Sequence, residues 1–308
     1  MIQKKLFPLL FSLVLLYSCG APPAASDAAG GKLRVVATTG MIADALENIA
    51  GEYARVDVLM GPGVDPHLYK ATQGDLKRLT EADAIFYNGL HLEGKMGEVL
   101  EKLARLKPVV AVADQLPKPD LINSTDYASA YDPHVWFDIS LWSKVAGIIG
   151  EEMGRIDPAH QTAYEDNARQ YQKKLNELHL WVASEIQNIP EKQRVLITAH
   201  DAFEYFGRAY GIEVRGLQGI STVSEFGLRD VTELVDFIAS RKIKAVFVES
   251  SVPAKSLEAV VEGVEQRGHS TKIGGMLFSD AMGAEQTEAG TYPGMVRANV
   301  RTIVSALR

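Results

Sequence analysis

The chain has 308 residues, more than one hydrophobic core of about 250 residues comfortably serves, so two compact lobes are expected. Hydrophobic residues make up 46% and charged residues 23%, the balance of a folding chain and not of a disordered or fibrous one. The net charge of -7, with no Lys or Arg run beyond the first few residues, removes the attraction on which nucleic-acid binding rests. The single cysteine, Cys19, rules out an intramolecular disulfide and a thiolate cluster, so any metal site must use nitrogen and oxygen donors.

Met1 to Lys5 carry two lysines, and Leu6 to Leu16 form an apolar run ending at Tyr17-Ser18-Cys19. A basic start followed by an apolar stretch of about 7–15 residues predicts a secretory signal, too short to span a bilayer as a mature helix. Leu16-Tyr17-Ser18-Cys19 resembles a bacterial lipobox, which implies cleavage before Cys19 and its acylation, although Tyr17 is unusual there; ordinary signal cleavage is the alternative. Residues 1–19 are therefore read as the export segment. The small, Pro- and Gly-bearing run over 20–31 is read as a tether, because it cannot bury enough surface to order itself.

From Lys32 onward, β-branched runs alternate with amphipathic stretches, the pattern of parallel-sheet α/β structure. In the first lobe (32–157), strands are expected at Leu33–Thr38, Arg55–Met60, Ala84–Asn88 and Val109–Ala113, with helices beginning near Met41, Gln73 and Lys95. In the second (190–308), strands are expected at Val195–Thr198, Glu213–Gly216, Ala245–Val248 and Lys272–Met276, with helices near Ala202, Leu228 and Lys255 and a last one from Pro293. Between them, residues 158–189 lack glycine and internal proline, and Tyr164, Ala168, Tyr171, Leu175, Leu178, Trp181, Val182 and Ile186 recur at spacings of three and four. One rigid helix of about 30 residues, ~45 Å long, should join the lobes, with Asp157 and Pro158 at its start and Pro190 as its stop.

Three of the seven histidines share a setting. His67 closes Asp65-Pro66-His67 after the second strand, His134 closes Asp132-Pro133-His134 after the fourth, and His200 closes Val195-Leu196-Ile197-Thr198-Ala199-His200. Ligands of open parallel sheets bind outside the carboxyl ends of strands, so these side chains are positioned to converge in the cleft between the lobes. In each Asp-Pro-His, proline fixes φ and the aspartate can hold a neighbouring backbone or ring N–H, orienting the imidazole; helix capping is the plainer alternative for Asp65 and Asp132. Asp280, after the last strand of the second lobe, supplies a carboxylate. Glu249, ending Ala245-Val246-Phe247-Val248, reads equally as a supporting carboxylate or a helix cap. His91 also follows a strand, but three other imidazoles already fill the site; His160, His179 and His269 read as solvated.

Val64-Asp65-Pro66-His67, Asp83 to Leu90, Asp132 to Trp136, Thr198 to Phe203 and Leu277 to Asp280 together resemble the zinc- and manganese-binding solute-binding proteins of ABC importers, the TroA/ZnuA-like group once called adhesin lipoproteins. The matching segments run in order through nearly the whole chain after the tether. The resemblance implies one divalent ion, Zn²⁺ or Mn²⁺ with iron also open, held by His67, His134, His200 and Asp280. It also implies a permease and its ATPase as partners, and a monomer anchored by lipid in the periplasm or on the outer face of the cytoplasmic membrane. Within that group, zinc-specific members often carry a His- and acid-rich loop, whereas Leu116 to Ala130 here contain no histidine; many manganese-assigned members have Glu where this chain has His200. A metal-dependent hydrolase is disfavoured, since neither HExxH nor GxSxG occurs, and no enzymatic activity is expected. A surface adhesin is the other alternative, with no residue pattern that encodes a host ligand.

Overall fold

The computed structural model describes residues 31–124, 129–224 and 226–308. The export segment, all but the last residue of the tether, and Cys19 lie outside the described residues. The chain from Lys32 to Arg308 is one compact unit, built as two parallel-sheet α/β lobes.

The first lobe runs β1 (Leu33–Ala37), α1 (Gly40–Ala50), β2 (Ala54–Val58), α2 (Gln73–Glu81), β3 (Ala84–Tyr87), α3 (Gly97–Ala104) and β4 (Val109–Ala111). Two long helices follow, α4 (Ile139–Ile156) and α5 (Gln161–Ile186). The second lobe is β5 (Val195–His200), α6 (Glu204–Tyr210), β6 (Glu213–Gln218), α7 (Leu228–Arg241), β7 (Ala245–Glu249), α8 (Lys255–Gln266), β8 (Lys272–Leu277) and α9 (Tyr292–Leu307). The sheets have the orders β2-β1-β3-β4 and β6-β5-β7-β8, all neighbours parallel. Strand order therefore reverses beside β1 in one sheet and beside β5 in the other, which opens a crevice at the carboxyl end of each.

Both faces of the inner strands are covered, so β1, β3, β5 and β7 are largely apolar on both sides. Along β1, Val35 and Ala37 face a core shared with α1, whereas Val36 between them faces α2 and α3 through Leu79 and Leu100. Along β5, Leu196 faces inward, while Val195 and Ile197 pack on α7 and α8 through Leu234, Ile238, Leu257 and Val260. The inward core is continuous across both lobes: Ile42 and Leu46 of α1, Trp142 and Ile149 of α4, Tyr171 and Leu178 of α5, and Met295 and Val300 of α9 belong to it. Helix α4 lies so close to α5 that a Cβ at Gly150 would stand 2.8 Å from the Ala168 Cβ. Polar ties reinforce the seam: the buried Tyr171 hydroxyl donates to Asp44 of α1 at 2.6 Å, and Tyr292 of α9 donates to the carbonyl of Trp136 at 2.6 Å.

The linking helix is shorter than its sequence pattern suggests. Pro158–His160 form a 3-10 turn, and the 26-residue α5 begins at Gln161. His160 has non-helical backbone angles (φ -116°, ψ 13°), and Asp157 accepts from the His160 Nδ1 at 2.6 Å and the Tyr164 hydroxyl at 2.7 Å. Helix α4 has no counterpart among the expected elements, yet its signals exist: Asp138 caps it by accepting from the Ser140 and Leu141 N–H groups, and Leu141, Trp142, Val145, Ile149 and Met153 form its buried stripe. The first-lobe strands stop one to two residues earlier than expected, and the second-lobe strands run one to two further, so His200 and Glu249 are themselves the last strand residues.

Helix α2 begins with a reciprocal cap in which Thr72 and Asp75 each accept from the other's backbone N–H, at 3.2 and 2.8 Å. Burial alone would raise the Asp75 pKa, but hydrogen bonds from Tyr69, Thr72 and Arg78 outweigh it and hold the carboxyl well below the usual carboxylate range. A depressed folded-state pKa contributes stability that is complete above the unfolded value and lost as pH falls through the folded one. Asp75→Asn is expected to cost about 1 kcal/mol near pH 7, and the gap to the wild type should narrow below about pH 4. Urea midpoints of the two metal-free proteins at pH 7 and pH 3 check this; an equal gap at both would contradict it.

Candidate metal centre

His67, His134, His200 and Asp280 meet in one buried cluster, with a ligating atom from each lying within 4.8 Å of all the others. His134 and His200 are fully buried, and Asp280 and His67 are 2% and 4% exposed. His67 and His134 come from the first-lobe side, His200 and Asp280 from the carboxyl ends of β5 and β8.

Both Asp-Pro-His segments use the same local turn. Asp65 Oδ1 accepts the His67 N–H at 2.8 Å, and Asp132 Oδ1 accepts the His134 N–H at 2.9 Å, with proline holding the residue between. Beyond that the two differ. Asp132 Oδ1 also lies 2.6 Å from the His134 Nδ1, which puts the proton on that nitrogen and leaves the Nε2 lone pair facing the centre. Asp65 instead accepts from the Thr222 hydroxyl at 2.6 Å, across the cleft. Glu249 serves His200 doubly: Oε1 accepts its N–H at 2.8 Å, and Oε2 lies 2.6 Å from Nδ1. The Asp280 loop is held from two sides. Asn299 of α9 exchanges hydrogen bonds with the backbone of Phe278 at 2.9 and 2.7 Å, and the Trp136 indole donates to the Ser279 carbonyl at 3.0 Å.

The distances suit a small cation. His67 and His134 Nε2 stand 3.4 Å apart, His200 Nε2 is 3.3 Å from Asp280 Oδ2, and His134 Nε2 is 3.5 Å from Asp280 Oδ1. Tetrahedral bonds of about 2.0–2.1 Å would place donors about 3.4 Å apart. His67 Nε2 lies 3.8 Å from Asp280 Oδ2. Neither Asp280 oxygen nor His200 Nε2 has a hydrogen-bond partner among the described residues. Buried polar atoms are rarely left so, and an ion shared among them would supply what hydrogen bonds do not.

Electrostatics agree. Burial lowers the His67 pKa to about 3, against the pull of Asp280. Burial presses His200 the same way, but Glu249 and Asp280 outweigh it and raise its pKa well above the ordinary imidazole value. Burial would raise Asp280, yet the three imidazoles hold it well below the carboxylate range. The centre therefore keeps its carboxylate ionised, and a cation bound there must displace the proton that Glu249 and Asp280 otherwise hold on His200.

The sheet ends bring the donors together with neighbours that have weak or no sequence signals. Trp136 closes the Asp132 to Trp136 motif, 5.2 Å ring to ring from His134, but neither Thr222 nor Asn299 stands in any recognisable pattern. Asp201, beside His200, is pushed up to about 7 by burial and by the nearby Glu204 and Asp132. Three histidines expected to be solvated are instead partly buried and engaged: His160 stacks on Tyr53 at 4.1 Å, His179 Nδ1 lies 3.0 Å from the Tyr210 hydroxyl, and His269 Nε2 lies 2.9 Å from the Ile243 carbonyl.

The profile of the family described as "ZnuA: Zinc-uptake complex component A periplasmic" matches residues 35–306. The chain belongs to the ZnuA family. It is 52% identical over 306 residues to the manganese-binding lipoprotein MntA of Bacillus subtilis, covering 99% of each chain. It is 48% identical over 311 residues to the zinc-binding protein TroA of Treponema pallidum, covering 100% of this chain and 99% of that one. The solved structure of the periplasmic zinc-binding protein TroA from Treponema pallidum superposes with a TM-score of 0.87 at 50% identity, covering 90% of this chain and 99% of that chain.

The Thr222–Asp65 bond joins the second lobe to the turn that carries His67. Thr222→Val keeps the shape and removes the donor to a charged acceptor, a loss of about 1.5 kcal/mol, or roughly tenfold. Bound Zn²⁺ is expected to leave the variant up to that much faster when chased with excess chelator, with one ion still bound per chain. An unchanged release rate would show that this contact does not hold the cleft shut.

Proposed function

We propose that this chain is the extracytoplasmic solute-binding component of an ABC importer: it binds one divalent transition metal, Zn²⁺ or Mn²⁺, through His67, His134, His200 and Asp280, and delivers it to a membrane permease driven by an ATPase. The observation that carries the reading is the convergence of four buried donors, with both Asp280 oxygens lacking hydrogen-bond partners among the described residues. Asp132 and Glu249 orient the imidazoles, and Asp65 fixes the turn under His67. Residues 1–19 direct export, Cys19 carries the lipid, the run over 20–31 tethers the folded part, and the protein acts as a monomer. Among the described residues no helix is long and apolar enough to cross a membrane, in keeping with attachment through the N-terminus.

Support comes from the names of the relatives, which describe manganese- and zinc-binding proteins, and from the burial of all four donors, which leaves little room for the exchangeable water that a hydrolytic centre needs. Three imidazoles and one carboxylate suit zinc, and intrinsic affinity rises from manganese through iron to zinc. Asp280 turns one oxygen toward His134 and the other toward His200 and His67, so it can offer both to an ion that takes more than four donors. The cargo is then set by supply and geometry together.

Isothermal titration of metal-stripped protein lacking residues 1–19 with Zn²⁺ and with Mn²⁺ tests the reading, alongside His67→Ala and elemental analysis of protein taken from its own host. One tight site per chain is expected, weakened at least about 100-fold in the variant, consistent with loss of one of four ligands at ~2.8 kcal/mol or more. Binding indifferent to His67 would overturn the four-donor assignment.

A further inference from the structure

The centre is almost closed to solvent, with Asp280 2% exposed. His134 and His200 expose no surface, and His67 retains 4%. The His67 ring borders a cavity of about 430 Å³ whose wall also includes His91, Tyr131, Ser221 and Val223. His91 is exposed, so the cavity has an imidazole at its mouth and another at its floor.

The backbone that holds His91 there is unusual. Gly89, Leu90 and His91 have φ of 84°, 50° and 67° in succession. Only glycine adopts that region freely, so two L residues in a row must be held in it. The holding groups are present: the buried Glu93 carboxylate accepts from the Asn88 and Gly89 N–H groups at 2.8 and 3.2 Å, and Asp114 accepts from the Leu90 N–H at 2.8 Å. The Asn88 side chain donates to the Pro133 carbonyl at 3.0 Å, tying this loop to the residue before His134. A loop so constrained fixes the His91 backbone at the edge of this cavity, beside a neighbouring one that His91 also borders.

We propose that His91 is an entry ligand: it takes a hydrated divalent cation at the cavity mouth and passes it to His67, the first of the four enclosed donors. This rests on the reading that the buried centre binds such a cation. Imidazole is the commonest metal ligand, and an ion that must shed water to enter a closed shell crosses a lower barrier when one protein donor replaces water before the others do. Lys95 also borders the cavity, but it is exposed, and salt screens its repulsion.

The test is stopped-flow association of Zn²⁺ and of Mn²⁺, each alone, with the metal-stripped full chain, followed by a competing indicator dye, and dissociation into excess chelator. His91→Asn and His91→Gly both keep the left-handed backbone accessible. A ligand used in transit but absent from the final shell changes only the barrier, so association and dissociation should slow together, by roughly tenfold for a barrier about 1.4 kcal/mol higher, with the affinity and the one-ion stoichiometry unchanged. Wild-type rates in both variants would overturn the proposal, as would a weakened affinity at an unchanged association rate, which would place His91 in the final shell. If the unsubstituted chain fails to take up one ion, the metal-binding reading itself falls, a result separate from any effect of His91.

Discussion

Everything in this molecule is arranged around donors that cannot satisfy one another. Three imidazoles and a carboxylate are packed in a buried centre, and both oxygens of Asp280 and the Nε2 of His200 have no hydrogen-bond partner among the described residues. Leaving such groups unpaired costs several kcal/mol, so the fold must hold them in place against collapse. Asp132 and Glu249 do this from behind the imidazoles, within 2.6 Å of the Nδ1 atoms of His134 and His200. Asn299 and Trp136 do it for the loop that carries Asp280. Because each brace comes from a different element, the geometry of the centre depends on the whole fold.

That dependence explains the architecture between the sheets. Two sheets of the same strand order each place ligands at their carboxyl ends, and α1, α4, α5 and α9 close one apolar core across both. Swinging the lobes apart as rigid bodies would expose that core at about 25 cal/mol per Å² and part the Phe137–Phe203 ring stack beside the site, whereas the contacts directly over the donors are single hydrogen bonds. Thr222 to Asp65 is one hydrogen bond, and Trp136 to Ser279 is another. Exposing the shared core costs more than breaking one loop contact, so the loops around the centre are the low-cost place to move.

The same asymmetry separates binding from access. The four donors are within reach of one another but almost sealed from solvent, and the loop from Gly89 to His91 is held in a costly backbone conformation at the edge of the one cavity His67 borders among those described. Glu93 and Asp114, neither of them donors to the centre, are committed to keeping that loop as it is. Strain held by the buried Glu93 and the exposed Asp114 at the approach to a site is of the kind that functional loops store.

Much of this was readable from the residues in order. Alternating apolar runs announce two parallel sheets, the lack of cysteine thiolates beyond Cys19 confines metal chemistry to nitrogen and oxygen, and two Asp-Pro-His turns plus His200 and Asp280 mark strand ends where ligands gather. These signals are local: strand periodicity, capping and turn chemistry act over a few residues, and the sequence carries them whole. What only the tertiary structure decided is what lies opposite what. That Thr222 reaches Asp65, that Asn299 braces Asp280, that His160, His179 and His269 find partners, and that α4 and α5 press together at Gly150 depend on contacts between residues far apart in the chain. Helix α5 begins three residues late for the same reason, since Asp157 spends its carboxylate on His160 and Tyr164. The order of residues specifies which groups are available, and the stacking of two sheets against a shared helical core specifies which of them meet.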